Sequence, residues 1–146
     1  MPNDPISIGA LTVRFVADPE ATGGAASVFE CDVPAGAQMP APHSHDAFEE
    51  ISYGLRGMTT FIVDGREVEV GAGDAVVIPR GAVHGFQNRG EEDAAFLAIA
   101  TPGVFGPAYF EEIGALLAAA AGGPPDRAAI AAVMTRHGLS LATVSA

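Results

Sequence analysis

Apolar and polar positions alternate in short runs over the first two thirds of the chain, and glycine, proline or aspartate interrupts each run. Residues 11–16 and 25–33 carry β-favouring side chains bounded by breakers such as Gly23-Gly24 and Pro34, the punctuation of extended strands. The clearest pair is Met58–Val63 and 66–70, joined by Asp64-Gly65. Asp-Gly accepts the positive φ of a two-residue hairpin loop. Ala75–Ile78, 83–87 and Ala94–Thr101 continue the series. Strands at this close spacing, with no helical pattern between them, predict an all-β sandwich or barrel. A parallel βαβ fold is excluded for want of crossover helices.

The pattern changes near Pro102. Phe110, Ile113, Leu116 and Leu117 fall at helical spacing within 107–121, and Gly122-Gly123 supplies a stop. Pro124-Pro125-Asp126 opens a second helix, with Ile130, Val133, Met134 and His137 roughly on one face and Gly138 at its end. The expected organisation is therefore a β-domain over 1–101 and a C-terminal pair of α-helices over 102–146. Neither helix is long enough to stand alone, so the pair is read as an appendage packed on the β-domain or on a second subunit.

Composition narrows the function. At 146 residues the chain is long enough for one domain with an ordinary core. Its formal charge of −11 argues against binding a phosphate backbone or an anionic membrane, both of which need basic clusters. Neither nucleic acid nor membrane is expected as a partner. Met1-Pro2-Asn3-Asp4-Pro5 has no basic or apolar leader, and no stretch approaches a membrane span; a cytoplasmic location is expected. The single cysteine, Cys31, excludes an intrachain disulfide and reads as a small buried hydrophobe.

The chemistry concentrates in histidine. His43 and His45 are separated by one residue, so on an extended chain both imidazoles project from one face. Glu50 follows shortly after, and His84 lies on a later strand behind Pro79-Arg80-Gly81. Three imidazoles and a carboxylate are an N/O donor set for one divalent transition metal ion, with Fe, Mn, Ni, Co, Cu and Zn all acceptable. His137, at the end of the second tail helix, suits a helix C-terminus and reads as structural.

These residues fall in two linked patterns. The first is His43-Ser44-His45, four residues, Glu50, six residues, Gly57; its leading glycine, Gly36, sits one position further upstream than usual. The second is Gly73, five residues, Pro79, one residue, Gly81, two residues, His84, three residues, Asn88. Over about residues 25–101 the chain resembles the cupin superfamily, and small single-domain bacterial cupins of the quercetin-dioxygenase-like type in particular. The resemblance implies a double-stranded β-helix, or jelly-roll barrel, with motifs at 36–57 and 73–88. It implies His43, His45, Glu50 and His84 as metal ligands. Glu49 is the rival for the carboxylate position; adjacent strand residues point to opposite faces, so only one of the two can face the ion, and Glu50 is preferred.

Strand parity then sorts the neighbours. With Glu50 inward, Ser52 and Gly54 also point inward, and these small residues are expected to leave room for a ligand. Met39, Ala41 and Phe86 are expected as further pocket walls. Ile51, Tyr53 and Leu55 point outward as an apolar row that needs cover, and the resemblance implies a homodimer formed through such a face. The expected function is a metal-dependent, dioxygenase-like oxidoreductase acting on a small organic substrate, with Glu50 able to accept a substrate proton. A metal-dependent isomerase, decarboxylase or lyase is the alternative, and a non-catalytic small-molecule-binding module is a third.

Overall fold

A computed structural model describes residues 4–142. Its strands, in chain order, are β1 (Ile6–Ile8), β2 (Leu11–Ala17), β3 (Ser27–Val33), β4 (His43–His45), β5 (Glu49–Arg56), β6 (Met58–Val63), β7 (Arg66–Gly71), β8 (Ala75–Ile78), β9 (His84–Gln87) and β10 (Ala94–Thr101). Helices α1 (Pro107–Ala119) and α2 (Arg127–Arg136) follow, and the chain returns to a sheet in β11 (Leu139–Leu141). The strands form two antiparallel sheets, β1-β2-β3-β10-β5-β8 and β11-β4-β9-β6-β7. They face one another across the core as a double-stranded β-helix with C-terminal helices.

Alternation decides which side chains enter that core. Along β3, Ser27, Phe29, Cys31 and Val33 are buried while the residues between them are partly exposed. Along β5, Glu50, Ser52 and Gly54 are buried, whereas Glu49, Ile51, Tyr53 and Leu55 face out. The Asp64-Gly65 loop has φ of 48° and 81°, as a primed turn requires. Asp64 also receives the Val83 N–H on Oδ1 at 2.9 Å, tying this loop to the approach to β9. Asn88 is buried and stitches three segments: its Nδ2 donates to the carbonyls of Val33 and Glu92, and its Oδ1 accepts from Gly90 N–H.

The first helix ends two residues earlier than the spacing predicts, because Ala121 and Gly122 adopt positive φ. The second begins at Arg127 rather than at the prolines. Asp126 is its N-cap, accepting the Ala129 N–H at 3.1 Å. Two short strands, β1 and β11, were not expected, and β11 alters the reading of the tail. It pairs with β4, placing Leu139 opposite His45 and Leu141 opposite His43. The 102–142 segment is therefore woven into the barrel. Its helices bury Tyr109 and Ile113 of α1 and Ile130, Val133 and Met134 of α2, and the Phe110 ring lies 5.0 Å from Phe29 and 5.7 Å from Phe15. No helix among the described residues is long and apolar enough to cross a membrane.

Candidate metal centre

The histidines come from adjacent strands of one sheet and the carboxylate from the other. His43 on β4 is the cross-strand partner of His84 on β9. His45, two residues on, shares their face. Each of the three rings offers a nitrogen, and these nitrogens all lie within 4.8 Å of one another in the interior. Glu50 projects from β5, its Oε1 3.9 Å from His45 Nε2, and Ser52 Oγ–H donates to its Oε2 at 2.7 Å. Glu49 faces solvent, where Arg80 Nε lies 3.2 Å from its carboxylate.

Backbone carbonyls set the tautomers of two rings. His43 Nδ1–H donates to Ala41 O at 3.1 Å and His84 Nδ1–H to Ala82 O at 3.0 Å. Both Nε2 atoms are then bare lone pairs. His45 is held differently: its ring stacks on Phe48 at 4.3 Å, and its buried Nδ1 has no hydrogen-bond partner among the described residues. His43 Nε2 and His45 Nε2 are 3.1 Å apart. Two nitrogens each about 2.1 Å from a shared ion would stand at about that separation if they were neighbouring ligands. The donor set fits a divalent cation.

Burial sets the charge state of these groups. It lowers the His43 imidazolium to about 3, with nearby His84 adding to the effect, and it lowers His45 and His84 as well. Neutral imidazole is the form that ligates a metal. Burial pushes Glu50 up to about 7 against the opposing hydrogen bond from Ser52. That direction belongs to the metal-free site; a divalent cation bound beside Glu50 would favour its carboxylate, the form that accepts a proton.

A cavity of about 70 Å³ opens beside these groups, and Met39, Ala41 and Phe86 line it. Ser52 and Gly54 do not, which corrects the expectation drawn from parity. Ser52 turns its hydroxyl to Glu50, donating to Oε2. Gly54 is small because backbone fills the space: a Cβ there would stand 1.9 Å from the Gly71 carbonyl oxygen. The sequence reasoning missed Phe105, Tyr109, Phe110, Ile113, Ile130 and Met134, which the tail contributes to the lining. The helical spacing of Phe110, Ile113, Ile130 and Met134 marked apolar faces, and nothing local marked what those faces cover. His137 caps α2 and donates through Nε2–H to Glu112 at 2.7 Å, away from the cluster.

A cupin-domain family model matches residues 29–100. The polyketide cyclase RemF from Streptomyces resistomycificus is 30% identical, with a TM-score of 0.57 over 68% of each chain. The chain belongs to the cupin family. A predicted oxalate decarboxylase from Thermotoga maritima is 28% identical to this cupin, with a TM-score of 0.62 over 68% of the chain and 90% of its own. Quercetin 2,3-dioxygenase from Bacillus subtilis is 29% identical over 101 residues. That match takes in 69% of this cupin but only 29% of the dioxygenase.

Proposed function

We propose that this cupin is a metal-dependent oxidoreductase of the dioxygenase type, acting on a small organic substrate. The carrying observation is the convergence of three buried imidazoles, two with Nδ1–H bonded to backbone carbonyls so that Nε2 faces the cluster, beside the buried Glu50 carboxyl. A divalent ion bound there would supply Lewis acidity and an open position for oxygen chemistry. His43, His45 and His84 would hold it, with Glu50 as the fourth donor or as the adjacent base. In the second role the Glu50 carboxylate takes the proton of a substrate hydroxyl while Ser52 keeps its other oxygen in place. The aromatic lining excludes water from the reacting groups. The relationship to quercetin 2,3-dioxygenase supports the reaction class.

Oxygen uptake by metal-loaded protein with catechols, flavonols and β-diketones tests the reading. Consumption that His84→Ala abolishes is the expected result, and its absence across the panel counts against it. The resemblance to a predicted oxalate decarboxylase favours a second reading, a decarboxylase or related lyase using the ion only as a Lewis acid. Turnover without oxygen would select it.

A further inference from the structure

Of the three converging imidazoles, two are oriented by hydrogen bonds. The carbonyls of Ala41 and Ala82 take the Nδ1–H of His43 and His84, so neither ring can turn about its Cβ–Cγ bond without losing a bond. His45 has no such anchor. It is 1% exposed, and its Nδ1 is the one buried side-chain polar atom among the described residues without a hydrogen bond. A histidine that binds a metal almost always donates its second ring N–H, which fixes both tautomer and plane. Yet the His45 ring is aimed at the cluster, with Nε2 3.1 Å from His43 Nε2 and 3.9 Å from Glu50 Oε1. Something other than a hydrogen bond sets its plane.

Aromatic rings do this instead. Phe48, two residues ahead of Glu50 and fully buried, stacks on His45 with centroids 4.3 Å apart and planes 22° apart. Phe105 continues the stack behind Phe48, at 4.6 Å and 23°, and its own ring is 5.6 Å from His45. Phe105 is pinned in turn. The Ser27 hydroxyl donates to its carbonyl at 2.6 Å, and Phe29, Tyr109 and Phe110 pack on its ring at 5.7, 5.5 and 5.3 Å. It lies beyond residue 100, where the family match ends. The orientation of one donor of the centre is thus tied, through two stacked rings, to the segment leading into α1.

We propose that Phe48 is a positioning residue for the metal centre: its ring, backed by Phe105, holds the His45 imidazole in the plane that points Nε2 at the other donors. The stack takes the place of the hydrogen bond that His43 and His84 each have. A stacked pair contributes up to about tenfold to an equilibrium constant, the lower end of what losing a hydrogen-bonded partner of a metal ligand costs. A ring that merely filled the core could be exchanged for another apolar side chain without moving the histidine. The inference rests on the metal-binding reading of the three histidines and not on the oxygen chemistry.

Phe48→Leu and Phe105→Leu test it beside Phe15→Leu, a core substitution whose ring contacts are Phe29 and Phe110. Two measurements are made on each: histidine ring NMR signals of metal-stripped protein, and the affinity and visible spectrum of bound cobalt(II). In Phe48→Leu the His45 ring signals should shift or broaden while those of His84 hold, cobalt should bind about tenfold more weakly, and its visible bands should move. Phe105→Leu should do the same to a smaller extent. Phe15→Leu should lower the melting temperature and leave both measurements unchanged. Unmoved His45 signals in folded Phe48→Leu, or an equal effect from Phe15→Leu, overturns the role. Should Phe48→Leu not fold, Phe105→Leu decides, and an unmoved His45 signal there overturns it. A parent chain that binds no cobalt ends the metal reading, while the signals of the stripped protein still show what holds the His45 ring.

Discussion

Leu139 lies directly across the β4–β11 pairing from His45, and both side chains are almost wholly buried. The last strand thus holds the strand that presents two of the three histidines, which would otherwise lie at the sheet edge. Asp46 reinforces the junction, accepting from Ser44 Oγ–H at 3.1 Å and Ser140 Oγ–H at 2.5 Å. Leu139→Ala is expected to cost about 2–5 kcal/mol, the range for emptying a buried leucine site. It should also weaken metal binding, since His45 loses its support. Urea unfolding and metal titration read the two effects. Full stability in the variant would show that the tail merely leans on the barrel.

His84→Ala tests the centre itself. Removing one of three converging nitrogens is expected to lower divalent-metal affinity by about 100-fold or more, given that loss of an outer partner alone costs 10–100-fold. Elemental analysis of protein purified without added metal, beside the variant, gives the answer. Equal metal content in both would place the ion elsewhere.

Much of this centre was legible in the amino-acid order, because its determinants are local. His43 and His45 share a face by strand period alone, and the same period separates Glu50 from Glu49. The Asp64-Gly65 turn announces its own geometry. What escaped depends on contacts distant in the chain. Three-residue strands such as β1 and β11 are stabilised by their neighbours and carry no periodicity of their own. Phe110 and Ile113 advertise an apolar helix face without naming the surface it covers. Gly54 shows the same limit: a small residue signals that something lies close, and only the fold reveals that it is the Gly71 backbone rather than a void.

Gly54→Ala follows from that correction. The added methyl would stand 1.9 Å from the Gly71 carbonyl oxygen, a backbone atom that cannot swing aside as a side chain could. Overpacking of this kind costs typically 1–3 kcal/mol, so the melting temperature should fall while metal content holds. A variant as stable as the parent would mean that β5 and β7 can separate freely.

Acid should destabilise the metal-free protein. Burial lowers His43 from its ordinary 6.5 to about 3 and lowers His45 and His84 in the same direction. Below about pH 6.5 the unfolded chain therefore takes up protons that the folded chain refuses, and stability falls as pH drops toward 3. Glu50, raised from 4.5 to about 7, works the other way between those values, because the folded state keeps its proton longer. Three histidines outweigh one carboxyl, so the net change is a loss of stability. Urea midpoints from pH 7.5 down to 4 should decline, and bound metal should delay the decline. A flat profile would contradict the burial of neutral imidazoles.

The outward row of β5 carries the last prediction. Ile51 and Tyr53 are each 44% exposed and Val77 of β8, the register partner of Ile51, is 60% exposed. Together with the partly exposed Leu97 and Ile99 of β10, which pair with Tyr53 and Ile51, they form a continuous apolar strip across three strands. Such a strip is what a monomer avoids and a symmetric contact uses. A homodimer through this face is expected, with strips from two copies covering each other. Light scattering at micromolar concentration should give about twice the 14.8 kDa chain mass. Val77→Asp would set two like charges into the contact and should shift the population to monomer without disturbing the melting of the barrel, since Val77 touches solvent rather than core. A wild-type chain that scatters as a monomer removes the dimer, and a dimer that survives Val77→Asp moves it to another face.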